Sequence, residues 1–297
     1  MAGLDRFFAP DSTFSKNFYF LAKRFVPGED VAAAIAAVRA LNGNGMSATL
    51  DFLGEDVLER ESALKTRDAY FEMLDAIGDS GVESNVSVKL TAMGMLVDER
   101  FALENLLAIM ERARRNPDPF VRIDMEGSAV TGITLRIADQ AFAVAGNVGI
   151  VLQAYLKRTP GDVARAIELG QRVRLCKGAY NEAPEIAIKS MPEIRTRYLE
   201  LARELLLRGN YPAIATHDRR LIAAVKHVAE SENLARDRFE FQMLYGCRPQ
   251  VQRELVAQGY RVRIYVPFGT HWAGYFYRRV LERRENAFFA LSSIFSR

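Results

Sequence analysis

The chain of 297 residues has little of several residue types whose abundance marks particular protein classes. It carries two cysteines, Cys176 and Cys247, three histidines and one tryptophan. The cysteines are far apart and form no CxxC pair, which excludes a disulfide framework and a cysteine-based zinc site. They read as reduced thiols of an intracellular protein. No histidine or acidic pair has the spacing of an HExxH motif, so no metal site is expected. Long hydrophobic runs are missing too, and the most apolar stretch, residues 148–156, is far too short to span a bilayer. The amino terminus, MAGLDRFFAPDSTF, lacks a basic segment followed by an apolar one, so no secretory signal is expected. Charge of one sign does not dominate, since 40 Lys and Arg face 37 Asp and Glu for a net charge of +3. Without a dense basic tract interleaved with aromatics, nucleic acid is not an expected partner, although weak attraction to an anionic membrane surface is allowed. No Ser/Gly-rich linker divides the chain.

What is present is a repeat. Eight short apolar runs recur, ATLDFLGE, VSVKLTAMG, FVRIDMEG, VGIVLQAYLKR, VRLCKGAY, PAIATHD, FEFQMLYG and VRIYVPFG, spread over residues 48–269. They are rich in Val and Ile without strict alternation, as parallel strands buried on both faces are. Segments long enough for a helix lie between them, for example residues 100–115 and 219–231. A strand–helix unit repeated eight times closes into a parallel (βα)8 barrel, an α/β fold whose active site lies where the strands end. The runs bring Lys89, Asp124, Gln153, Lys177, His217, Gln242 and Tyr265 to those ends. One domain over 1–297 is expected: a helical preamble (1–47), the barrel (48–269) and a helical carboxy-terminal segment (270–297). Residues 30–41 predict a helix capped by Asp30 and ended at Asn42-Gly43. Gly43 to Ala48 fits a GxGxxA dinucleotide pattern by letters alone. Its order, helix then glycines then strand, is the reverse of what that fingerprint needs, so it reads as a turn.

The sharpest constellation is Tyr275-x-x-Arg278-Arg279-x-x-Glu282. On a helix these four residues share one face. Paired guanidiniums beneath an aromatic suit capture of a small carboxylate, because each planar fork binds one bidentately. The bland alternative is a solvated basic face, which Arg283, Arg284 and Glu285 just beyond would suit. Lys89 at a strand end suits a carboxylate ligand, a Schiff-base nucleophile or a solvated rim residue. Gly178, after Lys177, allows backbone to approach a flat or phosphorylated ligand closely, and Tyr180 can pack on a planar ring. Two further classes stay open: a Schiff-base aldolase using Lys89 or Lys177, and a barrel serving as a regulatory binding module.

At these residues the chain resembles the proline dehydrogenase family, both its single-activity bacterial members and the matching domain of bifunctional proline-utilisation proteins. The resemblance lies in LDFLGE, SVKLTAMG, VRIDMEG, LQAYLKR, VRLCKGAY, ATHD, FQMLYG, VRIYVPFG and YFYRRVLERREN, in family order and ending at Asn286. It implies a distorted (βα)8 barrel, non-covalent FAD, and oxidation of L-proline to Δ1-pyrroline-5-carboxylate by hydride transfer to flavin N5. Electrons then pass to a quinone at the membrane, as the first step of proline catabolism to glutamate. It implies a substrate shell of Lys89, Asp124, Tyr180, Leu244, Tyr265, Tyr275, Arg278, Arg279 and Glu282. Glu55 is implied as the acidic partner of an arginine gate. The implied flavin shell is Gln153, Arg174, Lys177, Gly178, Ala179, Tyr180, Thr216 and His217. Two positions depart from some relatives: Asn181 stands where they carry Trp, and Asp218 where they carry Asn. The resemblance also implies a cytoplasmic enzyme approaching the inner membrane peripherally. Its product would pass to a separate pyrroline-5-carboxylate dehydrogenase.

Overall fold

The computed structural model describes residues 22–276. Among these residues the first complete helix, α1 (Val31–Asn42), starts where the Asp30 carboxylate accepts from the Ala33 amide, which satisfies one of the donors that a helix start leaves open. Gly45, at φ +72°, then turns the chain into the first strand, so the GxGxxA letters are indeed a turn. From there strand and helix alternate: β1 (Ser47–Phe52), α2 (Arg60–Ser80), β2 (Ser84–Val88), α3 (Glu99–Ala113), β3 (Val121–Ile123) and α4 (Ser128–Ala145). The second half continues with β4 (Val148–Gln153), α5 (Thr159–Leu169), β5 (Arg172–Cys176), α6 (Met191–Arg208), β6 (Ala213–Ala215), α7 (Arg219–Ser231), β7 (Glu240–Leu244), α8 (Pro249–Ala257) and β8 (Arg261–Phe268).

The strands pair in parallel, each with the next, and β1 pairs with β8 from Ser47↔Arg263 to Phe52↔Phe268. The sheet is therefore a closed barrel with no free edge. β2 and β4 are buried along their whole length, as strands covered by helices outside and side chains inside must be. All eight apolar runs form strands, and the expected helices over 30–41, 100–115 and 219–231 are present with ends shifted by at most two residues.

The core between helices and strands is apolar, but much of the lumen is not. Near the amino-terminal ends of the strands, Arg263 reaches both Glu240 carboxylate oxygens (3.0 and 3.1 Å), Asp118 (3.0 Å) and the Ala48 carbonyl (2.7 Å). Asn85 donates to Asp118 (3.0 Å) and accepts from Thr49 (2.6 Å). Arg122 donates to the carbonyls of Ile150 (3.0 Å) and Arg172 (2.7 Å). Room for its guanidinium comes from Gly149, where a Cβ would lie 2.8 Å from Arg122 Nη1 and 2.4 Å from the Arg172 carbonyl. Gln242 belongs to this floor. It sits in the middle of β7 and donates to Glu240, so it is not at a strand end as its place in FEFQMLYG suggests. The run continues to Leu244, which puts the strand's true end two residues later.

Candidate active site

At the opposite, carboxy-terminal pole, side chains from non-adjacent strands meet across the lumen. Asp124, just past β3, accepts from Ser87 of β2 (2.6 Å), Arg174 of β5 (2.8 Å) and the phenol of Tyr265 of β8 (2.7 Å). The Arg174 guanidinium also lies 5.3 Å from the Tyr265 ring centroid. Tyr265 stands inside β8, three residues before its end, and its length carries the hydroxyl to the mouth. Burial, then Asp124 and Asp51, push its ionisation well above the ordinary range, so it remains a phenol that donates.

Beside this cluster, Lys89 meets both carboxylate oxygens of Asp51 at 2.9 and 3.0 Å. Both side chains are nearly or fully buried. Burial alone would lower the ammonium's pKa, but Asp51, with Asp124 adding, more than offsets this and holds Lys89 above its ordinary value. Asp51 is a site residue that the sequence reading missed. The available signal was a lone carboxylate between Leu50 and Phe52 in an otherwise apolar run. Glu126 was missed as well. Burial raises its carboxyl to about 7, against the hydrogen bond from Thr91 (2.6 Å) and the charge of Lys89.

The rim from β4 to β6 holds the residues expected for a cofactor. Gln153 donates to the Glu126 carbonyl (2.9 Å) and accepts from Thr159 through its own carbonyl (2.6 Å). Lys177 pairs with Asp218 at 3.2 Å, and Arg195 pairs with the same carboxylate at 2.8 Å. Burial opposes them, yet these cations hold the Asp218 carboxyl down at about 2. Nε2 of His217 accepts from the Leu244 amide (2.9 Å), so that nitrogen carries no proton. Thr216 is buried and accepts from the Asp218 amide (3.1 Å). Gly178 has φ +121°, and a Cβ there would lie 2.1 Å from the Tyr155 ring. Its small size is thus required by packing on Tyr155. Ala179 is exposed and Tyr180 half-buried.

A buried apolar cluster over the mouth joins Leu53, Trp272 and Tyr275 to Ala22, Phe25 and Val26, with Leu244 packed partly against it. Leu244 and Tyr275 therefore belong to one packed region. Glu55 lies half-buried in the loop after β1. Arg278, Arg279 and Glu282, with the rest of the segment from 277 on, lie outside the described residues.

Arg174 is 5% exposed, yet its buried Nε has no hydrogen-bond partner among the described residues. A buried donor left unmatched costs about 1–3 kcal/mol, so an acceptor supplied by a bound molecule fits this position. Around it stand the Asp124 carboxylate and the Lys89–Asp51 pair.

The family profile described as Proline dehydrogenase matches residues 34–291. The chain belongs to the proline dehydrogenase family. It is 39% identical over 273 residues to Proline dehydrogenase 1 of Bacillus subtilis, covering 92% of this chain and 90% of that one. It is 37% identical over 284 residues to Proline dehydrogenase of Deinococcus radiodurans, covering 94% and 91%. Among solved structures it resembles proline utilization A (PutA) from Bdellovibrio bacteriovorus inactivated by N-propargylglycine. That match has a TM-score of 0.83 and 28% identity, and covers 91% of this chain and 33% of the other. The (βα)8 fold and the family resemblance read from the nine motifs are both borne out. No helix among the described residues is long and apolar enough to cross a membrane.

Proposed function

We propose that the protein oxidises L-proline to Δ1-pyrroline-5-carboxylate with non-covalently bound FAD, and that a membrane quinone takes the electrons. The observation that carries this reading is the unmatched Arg174 donor, set where Asp124, Tyr265 and the Lys89–Asp51 pair converge. Gln153, Lys177, the backbone of Gly178 and Ala179, Tyr180, Thr216 and His217 would hold the flavin along one arc of the rim, with Arg174 donating to it. When bound, the flavin supplies a two-electron acceptor for the hydride. The chain's own residues supply orientation and charge. Lys89, with Arg278 and Arg279, would hold the proline carboxylate, while Tyr265, Tyr275 and Leu244 enclose the ring methylenes. Asp124 holds Arg174 and Tyr265 in place. Glu55 would be the acidic partner of an arginine gate over the substrate, and Glu282 would complete the substrate shell. The product would pass to a separate pyrroline-5-carboxylate dehydrogenase, and contact with the membrane would be peripheral.

The aldolase alternative loses support at Lys89. A Schiff-base nucleophile must be a neutral amine, whereas Asp51 keeps this one charged. Lys177 is committed to Asp218. A flavin spectrum taken before and after anaerobic addition of proline tests the reading, and bleaching is expected. Arg278→Met and Arg279→Met should each raise KM for proline with flavin retained. The loss is on the order of 2–4 kcal/mol if both bonds of a charge-assisted fork go. Normal proline kinetics in both variants would make this helix face a solvated one and remove it from the substrate shell.

A further inference from the structure

Three loops at the barrel mouth and the end of β4 are tied together by one short hydrogen-bonded chain. In the loop after β1, the Asp56 amide donates to Thr91 Oγ1 (3.1 Å), and the Val57 amide donates to the Thr91 carbonyl (3.1 Å). Thr91 follows β2, two residues after Lys89. Its hydroxyl donates to Glu126 Oε1 at 2.6 Å, and its amide lies 3.4 Å from Glu126 Oε2. Glu126 follows β3, two residues after Asp124, and its carbonyl accepts from Gln153 at the end of β4. Thr91 and Glu126 are both buried. Asp56 has φ +57°, a left-handed conformation uncommon for non-glycine residues, although Asp adopts it more readily than most.

We infer that Thr91 and Glu126 are positioning residues: they lock the loop bearing Glu55 to the strand ends bearing Lys89, Asp124 and Gln153. The proposal rests on the proline-oxidising reading of this site. The Thr91 hydroxyl both receives from the Glu55 loop and gives to Glu126. One oxygen thus fixes where the acidic side of the mouth stands relative to the substrate's ammonium and carboxylate partners. Glu126 is an acceptor through all three of its oxygens, side chain and backbone, and so spans the Lys89 loop and the Gln153 side chain. The charged groups facing it are Lys89 and Glu55. A slack connection here would let the Glu55 loop drift without moving the residues that face the substrate on the other strands. Such drift weakens substrate capture more than the chemical step, because the groups around the reacting carbon stay in place.

The test combines kinetics of the full flavin-loaded chain with hydrogen exchange of the protein without flavin. Thr91→Val keeps the shape but removes the hydroxyl. Its KM for proline should rise about tenfold, the worth of one buried hydrogen bond, with kcat changed less than about threefold. Exchange in the peptide holding Asp56 should quicken by about tenfold. Thr91→Ser, which restores the hydroxyl, should return both values to within about twofold of the wild type. Glu126→Gln keeps one acceptor for Thr91 but turns an NH2 toward its amide, so it should give a smaller KM rise in the same direction. It also serves as the test if Thr91→Val does not fold. Unchanged KM and unchanged exchange in Thr91→Val, lower thermal stability with normal KM, or a Ser variant as impaired as Val would each overturn the proposal. If Thr91→Val does not fold, a normal KM in Glu126→Gln overturns it. Absence of proline turnover in the wild type would instead overturn the reading of the site, and the exchange data would still report on the brace.

Discussion

The floor and the mouth of the barrel are both built from buried charge, but they are finished differently. At the floor, Arg263 has two carboxylate partners and a carbonyl, and Asp118 is shared with Asn85. Burial alone would raise the Glu240 carboxyl, yet Arg263 holds it below its ordinary range. Burial and Arg174 draw Arg122 down to about 9, which still leaves it charged at neutral pH. At the mouth, the buried Nε of Arg174 has no partner among the described residues and Glu126 is pushed up to about 7. A closed network serves the fold, whereas an unfinished one leaves positions for a ligand to complete. Sites that break local rules are where function is expected, because stability elsewhere in the molecule offsets their cost.

The largest effect expected of this contrast is on the floor. Glu240→Leu strips Arg263 of its main partner in a buried setting and should cost about 3–5 kcal/mol of unfolding free energy. Chemical denaturation measures it. KM for proline in the protein that remains folded should stay near the wild-type value. A large KM change would mean that floor and mouth are coupled and that the division between them is wrong.

The second test asks whether the mouth costs stability. Glu126 has a folded pKa of about 7, above its ordinary 4.5, so the folded state holds the proton more tightly. Its contribution is fully present below about 4.5, declines as pH rises, and is lost once pH passes about 7. Between those limits the loss is on the order of 3 kcal/mol. Unfolding curves at pH 5 and pH 8 should therefore differ less in Glu126→Gln than in wild type. An equal pH dependence in both would show that Glu126 titrates normally.

The smallest effect concerns selectivity at Tyr275. Its ring is buried in the cluster that Leu244 joins, and on the proposed reading it leaves little room for a ring hydroxyl on the substrate. Hydroxyproline should be the poorer substrate, and Tyr275→Ser should narrow the gap in kcat/KM by about 1–2 kcal/mol. Taking the ratio within one variant cancels any loss of folded protein. A ratio equal to that of wild type would place Tyr275 outside the substrate shell and confine it to the fold.

Much of this architecture was readable in the chain because it depends on short-range pattern. Each Val/Ile-rich run could be seen without knowing its neighbours, and eight of them with helices between leave a closed parallel barrel as the economical arrangement. Asp30 announced the start of α1 through a bond to its own third neighbour. Lys89, Asp124 and Gln153 could be placed at the mouth because each follows or ends its strand. Gln242 could not, since FEFQMLYG does not show where pairing stops. The partners of these residues were also hidden in one dimension. Asp51 meets Lys89, Arg174 meets Asp124 and Thr91 meets Glu126 only because barrel closure carries distant strands around one lumen. Composition and periodicity determined the fold and brought Lys89, Asp124 and Gln153 to the mouth. Only the tertiary structure decided which polar residues neutralise one another and which are left for a ligand, because the energy of a buried charge depends on what closure places within about 3 Å of it.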